Sequence, residues 1–81
     1  MYFKGEMLML LCKTTAGKTY RIEKTDLQTE LTDQLQARGI DGNTKFLVLD
    51  RRNTGAVVIL CRSSRFALGS YYTTRITVQE A

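Results

Sequence analysis

The stretch Ala56-Val57-Val58-Ile59-Leu60-Cys61 decides how the fold is interpreted. All of its residues are apolar and three are β-branched, whereas an amphipathic helix would show polar positions over about ten or more residues. A short, continuous apolar run is typical of a strand that is covered on both faces. We therefore predict a central strand at residues 56–61.

The segments on either side extend this strand into a sheet. Upstream, Lys45-Phe46-Leu47-Val48-Leu49 has the composition of a strand, and Asn53-Thr54-Gly55 predicts a hairpin turn that carries Arg51 and Arg52 near its tip. Downstream, residues 62–70 are predicted as one long connection. A final strand at residues 72–78 follows, and its alternation turns three side chains inward: Thr74, Ile76 and Val78.

The N-terminal half predicts a hairpin. Residues 7–12 form a second apolar run, too short for a helix. Gly17 can take the positive φ that closes a bulged turn. Residues 18–23 then alternate in polarity, so that Tyr20 and Ile22 are expected to face the core.

A single helix is predicted at residues 26–38. Thr25 and Gln28 have the spacing of a capping box, with Thr25 as the N-cap. Gly39 is expected to end the helix in the left-handed conformation, and Ile40 to fold back onto it. The apolar stripe of this helix recurs at every fourth residue: Leu27, Leu31 and Leu35.

These elements predict an α+β fold with the order β-β-α-β-β-β. One helix would pack on a mixed or antiparallel sheet of five strands. With 81 residues, the chain is expected to be one small domain, with residues 1–6 as a flexible start.

The first half resembles the ubiquitin-like proteins. Residues 13–23 are similar to ubiquitin's opening hairpin, and Gly39-Ile40 stands where ubiquitin's helix ends. The resemblance covers residues 7–41 and implies a β-grasp fold used as a recognition module. The chain ends Val78-Gln79-Glu80-Ala81 rather than in a diglycine tail, so conjugation and sulfur transfer are not expected.

The composition argues against catalysis. The sequence contains no histidine, which removes Ser–His and Cys–His nucleophilic sites. Two separated cysteines cannot supply a structural zinc site. We predict neither an enzyme nor a cofactor or metal, with Cys12 and Cys61 as free, mostly buried thiols. A disulfide between neighbouring strands stays open as an alternative.

No membrane segment is predicted. The apolar run at residues 7–12 is far shorter than the roughly 20 residues that span a bilayer. It is also shorter than the core of a secretory signal. The expected location is the cytoplasm.

Charge supplies the candidate site. The net charge is +4, and residues 51–75 contain five arginines and no acid. Arginine and tyrosine are enriched at the energetic centres of protein interfaces. The predicted partner-binding residues combine the two types: Arg51, Arg52, Arg62, Arg65, Tyr71, Tyr72 and Arg75.

Two functions are compatible with these residues. The preferred hypothesis is a non-enzymatic protein-interaction module, such as an adaptor or a small inhibitor encoded by a phage or other mobile element. It would bind a partner protein through its last strand and the arginine-bearing hairpin. The alternative is a small basic nucleic-acid-binding domain that uses the same arginines. A solvated basic face without a partner, and a dimer formed through an edge strand, also stay open.

Overall fold

The computed structural model describes residues 8–42 and 44–81, and these residues form one antiparallel sheet with two helices packed against it. The predicted flexible start, and Met7 at the head of the first predicted strand, lie outside the described residues. Within them the sheet has six strands in the order β1-β6-β2-β3-β4-β5. Their bounds are Leu8–Leu10 (β1), Thr19–Thr25 (β2), Lys45–Arg51 (β3), Val57–Cys61 (β4), Ser64–Leu68 (β5) and Ile76–Glu80 (β6). The helices are Thr29–Ala37 (α1) and Ser70–Thr73 (α2).

The core lies on one face of this sheet, where alternate residues of the strands point inward. β4 lies between β3 and β5, so it is next to the edge strand and not central as predicted. Tyr20 and Ile22 on β2 are buried as expected. The other strands and α1 add further buried side chains to the same core: Phe46, Val48, Val57, Ile59, Leu68, Ile76, Val78 and Leu35.

The prediction of a five-stranded β-grasp sheet is wrong, because the fold is mostly β and its first strand has a different partner. β1 pairs with β6, with Met9 opposite Val78, and β2 pairs with β3 and β6. A 3-10 turn at Leu11–Lys13 redirects the chain after β1. The opening hairpin on which the ubiquitin-like interpretation depended is therefore not formed.

The predicted connection at residues 62–70 contains a sixth strand. Cys61 lies opposite Ser64, so only Arg62 and Ser63 connect β4 to β5. Both residues have positive φ, 52° and 70°, as a tight two-residue hairpin requires. Such turns normally carry Asn-Gly, and Arg-Ser gives no comparable sequence signal.

Replacing Ser63 by glycine is expected to stabilise the protein. A left-handed conformation costs an L-residue about 1–2 kcal/mol, whereas the added chain entropy of glycine costs roughly 0.5–1 kcal/mol. Ser63→Gly should therefore raise the free energy of unfolding by about 0.5 kcal/mol, measured by urea denaturation. The matched control is Ser64→Gly, which changes the next residue inside β5 and should destabilise. A stabilisation by both variants, or by Ser64→Gly alone, would contradict this turn.

The last strand begins later than predicted. Tyr71 and Tyr72 lie in α2, and β6 starts only at Ile76. Ile76 and Val78 are fully buried, as expected, but Thr74 is exposed and Thr73 is buried in its place. The helical turn shifts the alternation before the strand starts.

Helix α1 is shorter than predicted at its N-terminus and ends as predicted at its C-terminus. Thr25 is the last residue of β2, and Gln28 is the N-cap without a side-chain hydrogen bond, so the capping box is wrong. At the other end Gly39 has a φ of 87°. Its N–H donates to Gln36 O and the N–H of Ile40 donates to Leu35 O, at 2.9 Å each, which is a Schellman motif.

The two cysteines are free thiols in different surroundings. Cys61 is buried and Cys12 is half-buried. Burial raises the pKa of the Cys61 thiol, which outweighs the opposing effect of Arg62. The expectation of mostly buried thiols is thus confirmed for Cys61 and only in part for Cys12.

A thiol reagent is expected to distinguish the two cysteines. The thiolate is the reactive form, and the raised pKa of Cys61 lowers its fraction at neutral pH while burial blocks access. In the folded protein, Cys12 should therefore be alkylated well before Cys61, followed by mass spectrometry on Cys12→Ser and Cys61→Ser variants. In denaturant both should react at similar rates. Faster labelling of Cys61 in the folded state would contradict its placement.

Candidate functional site

The predicted site residues do not form one surface, because they lie at opposite ends of the β4–β5 hairpin. Arg51 and Arg52 lie at the end of β3, next to the start of β4. Arg62 lies in the turn after the other end of β4. The five residues of β4 separate the two ends by about 13 Å. Arg65 follows on β5, while Tyr71, Tyr72 and Arg75 belong to α2 and the segment after it.

The arginines at the end of β3 already have acceptors within the chain. Arg51 Nη1 donates to the carbonyl oxygen of Cys12 at 3.3 Å. Arg52 Nε lies 2.7 Å from Asp50 Oδ2, and this hydrogen bond lowers the pKa of the Asp50 carboxyl. These side chains support the local structure of the hairpin end, so they are weaker candidates for a partner contact.

Tyr71 and Tyr72 on α2 form a preorganised cluster with Arg75, which lies just after this helix. The Arg75 guanidinium carbon lies 4.1 Å from the centroid of the Tyr71 ring, and Nη1 donates to Tyr71 O at 3.0 Å. The Tyr71 and Tyr72 rings meet edge to face at 5.7 Å. Tyr71 is exposed, whereas Tyr72 packs against the core. Of the residues predicted for the site, the exposed Tyr71 and Arg75 therefore lie together here.

Helix α2 is fixed to the β3–β4 turn at Gly55. The buried Thr73 hydroxyl donates to Gly55 O at 2.6 Å. Gly55 has a φ of 98°, and a β-carbon there would lie 3.1 Å from Ser70 Cβ. Only glycine fits this conformation and this close approach without strain.

The last strand is not an edge strand, which corrects the predicted contact surface. β6 is paired with β1 on one side and with β2 on the other. Gln79 on β6 is buried and donates to Glu23 Oε2. The backbone of β6 is therefore not available to a partner strand.

Among the strands of the described residues, those at the two edges of the sheet are β1 and β5. β1 has three residues, and β5 has five. In a two-residue hairpin the two residues that flank the turn, here Cys61 and Ser64, exchange two backbone hydrogen bonds. Non-hydrogen-bonded and hydrogen-bonded pairs then alternate along the two strands away from the turn. By this alternation the N–H and C=O groups of Arg65 and Ala67 point away from β4, toward the open side.

A groove lies between the last residues of β5 and helix α1. We call it the β5 groove, and it is lined by Gln34, Leu35, Arg38, Ala67, Leu68 and Tyr72. Leu35 and Leu68 form a buried apolar floor, and Arg38 is exposed at the rim. The groove thus places an apolar floor beside unpaired backbone groups.

Three arginines lie around the open edge of β5: Arg38 lines the β5 groove, Arg62 is in the turn before β5, and Arg65 is on β5 itself. All are exposed. The ion pairs among the described residues join Lys18 to Glu80 and Arg52 to Asp50, so none involves these three arginines. The stem of Arg62 packs across Gly39, where its Cδ would lie 3.3 Å from an added β-carbon. Sequence reasoning selected Arg62 and Arg65 but missed Arg38 and the β5 edge, although the inward alternation of Phe66 and Leu68 was a usable signal.

The described part of the chain contains neither a group of side chains suited to a metal ion nor a helix able to cross a membrane. Between residues 8 and 81, leaving out residue 43, no three histidine, cysteine, aspartate or glutamate side chains are grouped as a metal site would need. In the same residues neither helix has the length and apolar character needed to cross a bilayer.

The chain belongs to the FeoA domain family, whose model matches residues 9–80. It is similar to the crystal structure of the iron uptake regulatory protein FeoA, with a TM-score of 0.82 and 20% identity over 93% of this chain and 100% of that chain. The solution structure of the FeoA protein from Chlorobium tepidum matches with a TM-score of 0.79 and 19% identity, over 89% of this chain and 70% of that one. No curated protein sequence matches the chain.

A manganese-dependent transcriptional repressor shares the same fold. Its TM-score is 0.81 at 21% identity, and the match covers 96% of this chain but 44% of the repressor. The chain therefore corresponds to less than half of that protein. Together with the family match, these relatives overturn both the ubiquitin-like assignment and the hypothesis of an adaptor or inhibitor from a mobile element.

Proposed function

We propose that this FeoA domain regulates iron uptake in the cytoplasm, without catalysis, by binding a protein component of the uptake system. The observation that supports this most is the extent of the structural match. The chain aligns with the whole of a protein described as an iron uptake regulator, and with only 44% of the manganese-dependent repressor. The free-standing relative is thus the better guide to the role of this domain.

The surface supports binding to a protein rather than to nucleic acid. Nucleic-acid binding depends on a continuous track of cations along the phosphates. Here the arginines of the second half are divided between two ends of a hairpin, and Arg51 and Arg52 already contact acceptors of the chain. The β5 groove, in contrast, combines an apolar floor, the edge of β5 and the cation of Arg38 in one place.

The proposal is tested by iron uptake in cells of the encoding organism from which this chain has been deleted. The initial rate of ferrous iron uptake should change several-fold and return to normal when the wild-type chain is supplied. Manganese uptake, measured in the same cells, serves as the control for a general effect on transport. An unchanged ferrous uptake rate, or an equal effect on both metals, would contradict the proposed role.

A further inference from the structure

We propose that an extended acidic segment of the partner protein binds as an additional strand along β5, with its inward side chains in the β5 groove. This inference rests on the proposed function, since it names the part of the partner that this domain would recognise. It assigns the contact to the edge opposite β1, far from the last strand.

The backbone of β5 supplies the first part of the argument. Arg65 and Ala67 each direct an N–H and a C=O away from β4, as derived from the register of the hairpin. Unpaired strand edges of this kind recruit extended segments through main-chain hydrogen bonds. β1 is a poorer template, because within the described residues it has three residues and β5 has five.

Side-chain alternation defines the pattern of the bound segment. Phe66 and Leu68 point to the core face of β5, while Arg65 and Ala67 point to the outer face. A strand added beside β5 would alternate in the same way. Its inward residues would meet Leu35, Leu68 and Tyr72 in the groove and should be apolar, and its outward residues would lie beside Arg65.

Charge defines the chemistry of the partner and argues against a second copy of this chain. Arg38, Arg62 and Arg65 surround the edge without an ion pair among the described residues. Pairing two copies along β5 would bring these cations together in a protein whose net charge is already +4. Acidic residues in the segment would instead reduce this positive charge, and those at the outward positions would lie beside Arg65. The segment is therefore predicted to alternate acidic and apolar residues.

The test uses the full chain and a synthetic peptide of alternating glutamate and valine with blocked ends. Amide chemical shifts are followed by NMR during titration, with an alternating lysine and valine peptide as the control. The glutamate peptide should shift the amides of Arg65 and Ala67 most and should slow their hydrogen exchange. The lysine peptide should leave them unchanged.

Substitution of Ala67 separates backbone pairing from general attraction. Because the N–H of Ala67 points outward, Ala67→Pro removes a donor to the partner and leaves the β4–β5 hydrogen bonds in place. The affinity for the glutamate peptide should fall about tenfold, because one hydrogen bond is lost and the peptide fits less closely against β5. Ala67→Val retains the N–H and should bind like the wild type.

Substitution of charged residues provides an independent test if Ala67→Pro folds poorly. The double variant Arg38→Gln with Arg65→Gln should weaken binding by about fivefold to tenfold. Lys24→Gln is the single-charge control, because β2 is separated from β5 by two strands. Lys24→Gln should weaken binding of the glutamate peptide much less than Arg38→Gln alone or Arg65→Gln alone.

The proposal is overturned if the glutamate peptide shifts no β5 amide, if Ala67→Pro binds as tightly as Ala67→Val, or if the lysine peptide binds equally well. Binding of single-stranded DNA to the same amides at physiological salt would also overturn it, in favour of nucleic acid. None of these results bears on ferrous iron uptake. A several-fold change in ferrous uptake on deletion of the chain, together with failed peptide binding, would reject this docking surface and leave the proposed function standing.

Discussion

Tyr20→Ala is expected to lower the free energy of unfolding by about 3–5 kcal/mol, as measured for buried aromatic side chains cut back to alanine. Tyr20 is 2% exposed, and its ring stacks on Phe46 with 6.3 Å between centroids. Its hydroxyl accepts a hydrogen bond from the N–H of Thr15 at 2.9 Å. A domain of this size has a total stability of roughly 4–12 kcal/mol, so the variant should lose a large share of it.

The control for this prediction is Tyr20→Phe. It keeps the ring and removes only the acceptor for Thr15, which should cost about 0.5–1.5 kcal/mol. Urea denaturation followed by circular dichroism measures both variants. Equal losses for alanine and phenylalanine would show that the hydroxyl, and not ring packing, dominates at this position.

Ile59→Ala is expected to cost about 2–5 kcal/mol. Ile59 is 1% exposed in the middle of β4, opposite Val48 on β3 and Phe66 on β5. Truncation leaves a cavity that the two flanking strands prevent from collapsing. Chemical denaturation of the purified variant measures the loss.

Leu60→Ala is the matched control, because it changes the next residue of the same strand on the opposite face. Leu60 is half-buried, so its truncation should cost clearly less, about 1 kcal/mol. A larger loss for Leu60→Ala than for Ile59→Ala would mean that the sheet buries its other face, and would contradict the register of β4.

The sequence predicts the elements that depend on local physics. The alternation that places Tyr20 and Ile22 inward, the presence of strand β4 and the Schellman motif at Gly39 all agree with the structure. Each follows from side-chain periodicity or from the backbone freedom of glycine, which a single sequence displays directly.

The errors concern long-range pairing and unusual turns. The partner of β1 is β6, almost seventy residues away, and no local sequence pattern indicates this pairing. Strand β5 was missed because Arg62 and Ser63 adopt positive φ without the glycine or asparagine that usually signals it. The resemblance to ubiquitin depended on the same local hairpin pattern, and it failed once β1 was found beside β6.

The candidate site was predicted in composition but not in position. Of the predicted arginines, Arg62 lies in the turn before β5 and Arg65 lies on β5, whose last residues line the β5 groove. The sequence could not show that α1 brings Arg38 to the same groove, nor that β6 is paired on both sides. A strand's place at the edge or in the middle of a sheet is a property of the whole topology.

The shared fold with a manganese-dependent transcriptional repressor makes one distinction important. A domain that binds the uptake machinery changes the activity of transport proteins already present. A domain that works through transcription changes their amount. The two modes differ in how fast the uptake rate responds and in whether the amount of transport protein changes first.

The most direct measurement is therefore the initial rate of ferrous iron uptake per amount of transporter, taken with transcription blocked, in cells with and without this chain. The proposed protein-binding role predicts that the several-fold difference in rate persists under the block and at equal transporter amounts. A difference that disappears when transcription is blocked, or that follows transporter amount alone, would contradict it.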